Sequence, residues 1–545
     1  MKRFIEDYGN TRFDVLVIGG GITGAAMAYE AASRGLSVAL VEKKDFSCAT
    51  SAATSKLIHG GLRYLNNLEF GLVRESLRER KTLENIAPNF VHPYPMMWIH
   101  NSSSLKNNKW FIKVGMILYD LLSFDRSMTW DISKKIPSHQ TISPQEVLIK
   151  EPNVRRTGLR GASLFYDCVS IFPERLTLAF IKSAVRFGAQ VANYTKVEGF
   201  VMDGEDKVTG VEVTDLLNGK TVKLDAGIVV NCSGPWADII LGLAKPGGVN
   251  EQLRRSEGIH IVTKKLVNSH VVGYTTRKGR HFFLIPWRGH TLIGTTDKEY
   301  QGSPDEYRVT KQSILELIDE VNESFGDGTL CYDDVLFAYG GLRPLVEDQT
   351  QETYTTSRKY EVYDNAADGL EGLITVEGGK YTTSRNLAQT TVKLVEKKLC
   401  RNLGRTITDK LPLCGCEIAD MNEFVFSALR NNRDFSMDTV VYLARNYGTE
   451  YESILAMARG DECLKEVLND DSEILAQVTH AVRNEMARSL SDIIFRRTGI
   501  ATLGNPGIEV LEKVASCAAR ELNWSQDKID RELQQSLEML KLPVN

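Results

Sequence analysis

The sequence predicts an α/β architecture followed by an all-α region, on three observations. An apolar, β-branched run from Val15 to Ile18 gives way at Gly19 to the helix-forming stretch Ala25 to Ser33 (AAMAYEAAS), and a second apolar run follows at Ser37 to Val41. From residue 254 onward β-branched and aromatic residues alternate with polar ones, as antiparallel strands do. Beyond about residue 405 the composition turns helical and charged.

The first of these carries chemistry. Gly19, Gly21 and Gly24 fit G-x-G-x-x-G at a strand-to-helix turn, with Ile22 and Thr23 between the last two. One glycine makes the tight turn, one lets backbone approach a pyrophosphate, and one lets the helix pack on the strand. Phosphates sit on the helix N-terminus, where free N–H groups and the helix dipole favour negative charge. The second strand ends in Glu42, whose carboxylate can accept from both ribose hydroxyls and would repel a 2′-phosphate. The unit is Rossmann-like, and it reads as binding FAD or NAD, not NADP.

At 545 residues the chain is too long for one core and suggests two or three domains. Hydrophobic residues make up 42% and charged residues 25%, an ordinary globular balance, and a net charge of -4 argues against nucleic acid as a partner. The nine cysteines are odd in number and scattered, which reads as reduced intracellular thiols. Cys414-Gly415-Cys416 has no second pair or nearby His, so it reads as loop cysteines, and no metal site is expected. No signal peptide is evident at the N-terminus, and no run of about 18 apolar residues is present to span a membrane.

After Glu42 comes a small, hydroxyl-rich loop, Lys43 to Lys56, able to wrap a pyrophosphate with hydroxyl and N–H donors. Leu57-Ile58-His59-Gly60-Gly61-Leu62-Arg63-Tyr64 then sets two glycines beside cationic and phenolic groups, as backbone lying against an anionic ligand would require.

Together, D-x-x-x-I-G-G-G-I-x-G, T-S-x-x-x-S-K-L-I-H-G-G-L-R-Y-L and the run Phe70, Leu72, Val73, Arg74, Glu75, Ser76, Leu77, Glu79, Arg80 resemble the FAD-dependent glycerol-3-phosphate dehydrogenase family. That family is a branch of the D-amino-acid-oxidase-like flavoproteins. The resemblance covers roughly residues 12 to 530. Cys48-Ala49 and Ala52 stand where the family more often has Ser-Gly and Ser, and Cys232-Ser233 replaces Ala-Thr in the V-V-N-A-T-G-P-W-A-D turn. These changes leave main-chain donors in place.

The resemblance implies a Rossmann-like FAD-binding domain (mainly 12–90, 150–240 and 365–400) interleaved with an antiparallel-sheet substrate domain (mainly 91–149 and 241–364), and a C-terminal helical cap at 405–545. It implies FAD contacts from Gly19, Gly21, Ile22, Thr23, Gly24, Glu42, Lys43, Thr50, Ser51, Ser55, Lys56, Leu57, His59, Gly60, Gly61, Ser233, Gly234, Trp236, Gly379, Lys380, Thr382 and Thr383. It also implies sn-glycerol 3-phosphate as substrate, with Arg63, Tyr64, Arg343, Arg358 and Lys380 as substrate-binding groups. Arg343 lies in G-x-R-P-L, where Pro344 is expected to stiffen a turn. His260, on an apolar strand, reads on its own as a core histidine. The resemblance turns it toward the substrate and makes it the candidate base.

Residues 105–124, LKNNKWFIKVGMILYDLLSF, admit two readings. One is a buried helix, which the sequence alone favours. The other is an interfacial helix whose Trp110, Phe111, Val114, Ile117, Leu118 and Leu121 dip into lipid. The resemblance supports the second, since this family sits on the inner face of the cell membrane, from the cytoplasmic side, to deliver electrons to quinone. Lys134-Lys135 and Arg155-Arg156 are either part of a basic face or plain solvated surface. An oxidase passing electrons to oxygen and a non-catalytic flavin sensor are the alternative functions. Known oxidases tend to carry an inserted segment in the substrate domain, and none is obvious here. A homodimer is left open. At the C-terminus, Ser472 is the expected N-cap of a helix with Glu473 in its first turn, and a second helix is expected at Ile508 to Leu522.

Overall fold

The structure, a computed structural model, describes residues 1–100, 109–204, 206–245, 253–276, 280–325, 330–345 and 359–544. Its first sheet is built on the strand Phe13–Ile18, flanked in parallel by Thr221–Asn231 and Val38–Val41, with Leu373–Gly378 and Gln190–Ala192 parallel beyond them. Val15 and Val17 pack toward the helices Ile22–Ser33, Pro173–Arg186 and Ser384–Lys398. Leu16 and Ile18 pack toward the antiparallel ribbon of Thr195–Asp203 and Lys207–Asp215. Both faces of the strand are covered, which is why its sequence is apolar without alternation. Pro173 occupies the first turn of its helix, where its missing N–H costs nothing.

The second sheet is antiparallel apart from one parallel pairing, Val271–Thr275 beside His92–Ile99. Its central strand, Arg254–Thr263, pairs with His290–Gly294, Lys298–Tyr300 and Val335–Leu345. Tyr339 to Pro344 continues that last strand in register with Arg255 to His260, so Arg343 stands on a strand and the expected turn is absent. Pro344 is tolerated near the end of this edge strand, where a ladder donor is dispensable.

Six helices of ten residues or more, among the described residues, follow from Met421–Asn431 to Gln526–Leu540. Ile508–Leu522 forms as expected, but Ser472 caps nothing. It sits in a turn at φ +63°, and the helix runs only from Ala476 to Glu485. Glu473 is buried, accepting from the Tyr442 hydroxyl and the Gly499 N–H, so tertiary bonding overrides the capping pattern.

The helix Lys109–Leu122 combines the two readings of its sequence. Met116 and Tyr119 are buried against the body and Leu118 is partly buried there, whereas Val114, Ile117 and Leu121 face outward, joined by Phe124. Leu118 therefore leaves the expected lipid face; the side chains of Trp110 and Phe111 lie outside the described residues. Lys134 is not on a basic face either, because its buried ammonium donates to the carbonyls of Pro88 and Val91. Among the described residues no helix is long and apolar enough to cross a membrane.

Candidate active site

A cavity of about 810 Å³ runs between the two sheets, a size suited to a large ligand. Gly19, Gly21, Ile22 and Thr23 line it. Gly19 has φ +108°, and a side chain there would overlap the Cys232 carbonyl. Gly21 caps the following helix without a side chain, so the first-turn N–H groups are left for an anion. Of these, the Ile22 N–H meets Ser51 Oγ at 2.9 Å. Gly24 lies outside the cavity and packs on the Gly19 carbonyl, where no Cβ fits. Glu42 accepts from the Gly20 and Lys44 N–H groups at 2.7 and 2.8 Å. Burial raises its pKa and those two bonds oppose the rise. Each carboxylate oxygen keeps capacity for a further donor, such as a ribose hydroxyl.

The hydroxyl-rich loop is fixed to the second sheet. Thr50 Oγ1 donates to the Leu342 carbonyl at 2.6 Å, and Tyr339 Oη donates to the Thr54 carbonyl at 2.8 Å. Thr50, Ser51, Ser55, Leu57, His59 and Gly61 line the cavity. Lys56 turns away into a buried ion pair with Glu174 at 2.7 Å, and the Gly60 N–H is taken by Tyr119 Oη and Asp167 Oδ1. On the neighbouring wall, Asn231 Oδ1 accepts from both the N–H and the hydroxyl of Ser233, shaping the turn into Gly234 and Trp236. Asp305 receives Lys43 Nζ at 2.6 Å and Trp236 Nε1 at 3.0 Å, joining the two walls. Gly379, Lys380 and Thr382 line the cavity from the start of the last helix of this region. Thr383 is buried behind them, donating to the Lys380 carbonyl.

The cationic groups gather in two places. Arg63 and Lys380 lie over the ring of Tyr64, at 5.0 and 4.6 Å from its centre, and Lys380 Nζ donates to Ser76 Oγ. Burial, the largest influence, lowers the pKa of Lys380; it also holds His59 at about 4. Arg343 Nη2 donates to Thr295 Oγ1 at 2.6 Å, and Nη1 donates to the carbonyls of Thr296 and Glu257. A Cβ on Gly258 would occupy the guanidinium's place, so that glycine makes the room. His260 is 1% exposed, with Nε2 2.8 Å from Ser55 Oγ and its ring stacked on Tyr339 at 5.1 Å. Burial, then the charges of Arg343 and Lys56, hold its pKa well below the usual imidazole value. Arg358 lies outside the described residues.

Sequence reading missed Asp305, Tyr339 and the aromatic wall of Trp98, His281 and Phe283. Trp98 stands edge-on to His281 at 4.8 Å and to Phe283 at 6.0 Å. Period-2 alternation in His281–Trp287 was a usable signal, since His281 and Phe283 share a face and both reach the cavity. Asp305 sits in an irregular loop and gave none.

The donor set fits a dinucleotide bearing a redox ring. An uncapped helix start offers N–H groups suited to phosphates, an acid ends the second strand, and a glycine- and threonine-marked turn lines the same cavity as a histidine and two cationic clusters. Comparison with known proteins agrees. The family model for FAD dependent oxidoreductases matches residues 14–385, and that for the C-terminal domain of alpha-glycerophosphate oxidase matches 406–529. A glycerol-3-phosphate dehydrogenase of Synechocystis is 36% identical over 558 aligned positions, covering 99% of this chain and 98% of that protein. An aerobic glycerol-3-phosphate dehydrogenase of Staphylococcus saprophyticus is 33% identical, covering 91% and 88%. The crystal structure of the Bacillus halodurans glycerol-3-phosphate dehydrogenase complexed with FAD superposes with TM-score 0.79 at 28% identity, covering 98% and 96%.

Proposed function

The chain belongs to the FAD-dependent glycerol-3-phosphate dehydrogenase family, and from that premise we propose that it oxidises sn-glycerol 3-phosphate at C2 to dihydroxyacetone phosphate and passes the electrons to membrane quinone. Its cofactor is FAD, which when bound accepts the C2 hydride at N5. The carrying observation is the gathering of Arg63, Tyr64, Lys380, Arg343 and His260 around one cavity with the glycine turn.

Gly19, Gly21, Ile22, Thr23 and Ser51 would hold the pyrophosphate, Glu42 the adenosine ribose, and Gly379, Lys380 and Thr382 the flavin edge. Lys380 and Arg63, with the Tyr64 phenol and Arg358, hold the substrate phosphate. Arg suits bidentate contact with its oxygens, and burial strengthens the charge pairing. Arg343, already oriented by three protein acceptors, stabilises negative charge developing on the C2 oxygen. His260 takes up the proton of the C2 hydroxyl, and it is neutral and so able to do so at pH 7.

The membrane part of the proposal rests on the exposed apolar face of Lys109–Leu122. The same helix reaches the site from its other side: Tyr119 Oη accepts the Gly60 N–H at 3.0 Å and donates to Asp167 at 2.7 Å. A peripheral enzyme seated on the inner membrane face through this helix would keep its cavity near quinone. The oxidase is the second reading, and the shared machinery above serves it equally.

Anaerobic mixing of the FAD-loaded protein with glycerol 3-phosphate, followed by air or a soluble quinone, tests both steps. Flavin bleaching reversed rapidly by quinone and slowly by air is the expected result. Fast reversal by air with peroxide formed would establish the oxidase, and no bleaching would sink the substrate assignment.

A further inference from the structure

The imidazole of His260 is enclosed. One face stacks on Tyr339 with ring planes 19° apart, and its Cδ2 edge abuts Gly294, where a Cβ would overlap it. Among the described residues its buried Nδ1 has no hydrogen-bond partner, and its Nε2 meets Ser55 Oγ at 2.8 Å. Ser55 lines the cavity and is partly exposed. The only hydrogen-bonding group on the ring's nitrogens, among the described residues, is therefore a hydroxyl that the cavity can reach. That hydroxyl is held in place from the same side, because Tyr339 both stacks on His260 and donates to the carbonyl of Thr54, one residue before Ser55.

We propose that Ser55 is a catalytic residue that relays the substrate's hydroxyl proton to His260 Nε2. The inference rests on the alcohol-oxidation reading above and deepens it. The substrate O–H bond breaks as its proton passes to Ser55 Oγ, and the Ser55 O–H proton passes to Nε2. The C2–H bond breaks with its electron pair leaving as hydride to the flavin, and the C2–O bond becomes a carbonyl. Ser55 ends as it began, and after product leaves the imidazolium releases its proton through Ser55 to water entering the cavity. Nε2 must be an acceptor before the reaction, so the resting ring carries its hydrogen on Nδ1. Arg343 and Lys56, both cationic neighbours of the ring, favour rapid return of the proton.

The experiment uses the FAD-loaded full chain with ¹⁵N-labelled histidine, the His260 signals being assigned with His260→Gln. Before substrate is added, the expected spectrum has Nε2 unprotonated and hydrogen-bonded, and Ser55→Ala moves it to an unbonded acceptor position. A hydrogen on Nε2 would overturn the relay. In rapid mixing with glycerol 3-phosphate, Ser55→Ala is expected to slow flavin reduction on the order of 100-fold or more. Flavin content and half-saturating substrate stay near wild type, and Ser55→Thr recovers most of the rate. Reduction by Ser55→Ala within about twofold of wild type, or loss of FAD from that variant, would overturn the proposal. A wild type that glycerol 3-phosphate does not bleach defeats the functional reading, and the tautomer then still decides whether the pair is set to pass a proton.

Discussion

Asp45 and Arg497 form a buried bidentate ion pair, with Nη1 and Nη2 2.8 and 2.7 Å from the two carboxylate oxygens. Arg496 Nε adds a third contact at 2.7 Å, and Asn193 Nδ2 a fourth at 3.0 Å. Asp45 follows Glu42 by three residues, while Arg496 and Arg497 end the π-helical turn Ile493–Arg497 of the C-terminal domain. The helical domain therefore grips the loop that walls the cofactor cavity. Asp45→Asn leaves guanidinium charge buried without its counter-charge, a loss of about 3–5 kcal/mol. The expected outcome is a lowered melting temperature together with a reduced flavin-to-protein ratio. Burial pushes the Asp45 carboxyl up, but Arg497 and Arg496 outweigh it and hold the pKa at about 2, below the ordinary 3.8. This pair's stabilisation is thus complete above about pH 4 and is lost as pH falls toward 2, a window that Asp45→Asn should erase from an acid-denaturation curve.

Gly24→Ala tests the glycine turn from a different direction. The glycine lies outside the cavity, and an added methyl would overlap the Gly19 carbonyl oxygen, a backbone atom that cannot rotate aside. Helix and strand must separate to admit it. Loss of FAD retention is expected, measured as absorbance at 450 nm per protein after gel filtration. Full flavin content in this variant would show the close packing to be dispensable.

The glycine turn was legible because it is local: strand, turn, helix and acid fall within about 30 residues, with periodicity marking each. Ser472 misled because an N-cap pattern is equally local, whereas Glu473 is claimed by Tyr442 and Gly499 from elsewhere in the domain. Arg343 was found by its motif but assigned a turn, since a proline usually breaks strands and only the sheet order reveals an edge. The stacking of His260 on Tyr339 joins residues 79 apart through strand register, and Asp305 closes the cavity from a loop without periodicity. These depend on tertiary pairing, which no window of sequence contains.

Lys380 is expected to act through substrate binding. Its ammonium is half-buried beside Arg63 and above Tyr64, so a phosphate arriving there recovers charge pairing that water would otherwise supply. A charged hydrogen bond of about 1.5–3 kcal/mol corresponds to roughly a 10- to 100-fold rise in half-saturating glycerol 3-phosphate for Lys380→Met. The limiting flavin-reduction rate should change much less. A fall in that rate with unchanged saturation would move Lys380 from phosphate binding to the chemical step.

The proposal that His260 accepts the proton predicts a pH signature. Burial first, then Arg343 and Lys56, lowers the folded-state pKa of His260, so the ring stays neutral well below the ordinary imidazole value of 6.5. Flavin reduction at saturating substrate should therefore stay level from pH 8 down through 6.5, with any acid limb below it. Arg343→Met removes one of the two cations and should shift that limb upward while slowing reduction. An acid limb centred near 6.5 in the wild type would mean that the titrating base is exposed, and would exclude His260.

The apolar helix face gives the remaining prediction. Val114 and Leu121 are each 65% exposed and Ile117 44%, while on the opposite side Met116 and Tyr119 are 1% and 3% exposed. Charges placed on the outer face therefore leave the core undisturbed. An Ile117→Glu, Leu121→Glu double variant should fold, retain FAD and reduce it with glycerol 3-phosphate at the wild-type rate. Two buried side chains of this size contribute about 3–6 kcal/mol to lipid binding, so co-sedimentation with vesicles containing anionic lipid should fall at least 100-fold. Turnover with quinone dissolved in those vesicles should fall with it, while turnover with a water-soluble acceptor should not. Equal vesicle binding by variant and wild type would free this face from the membrane, and with it the argument that electrons leave toward lipid.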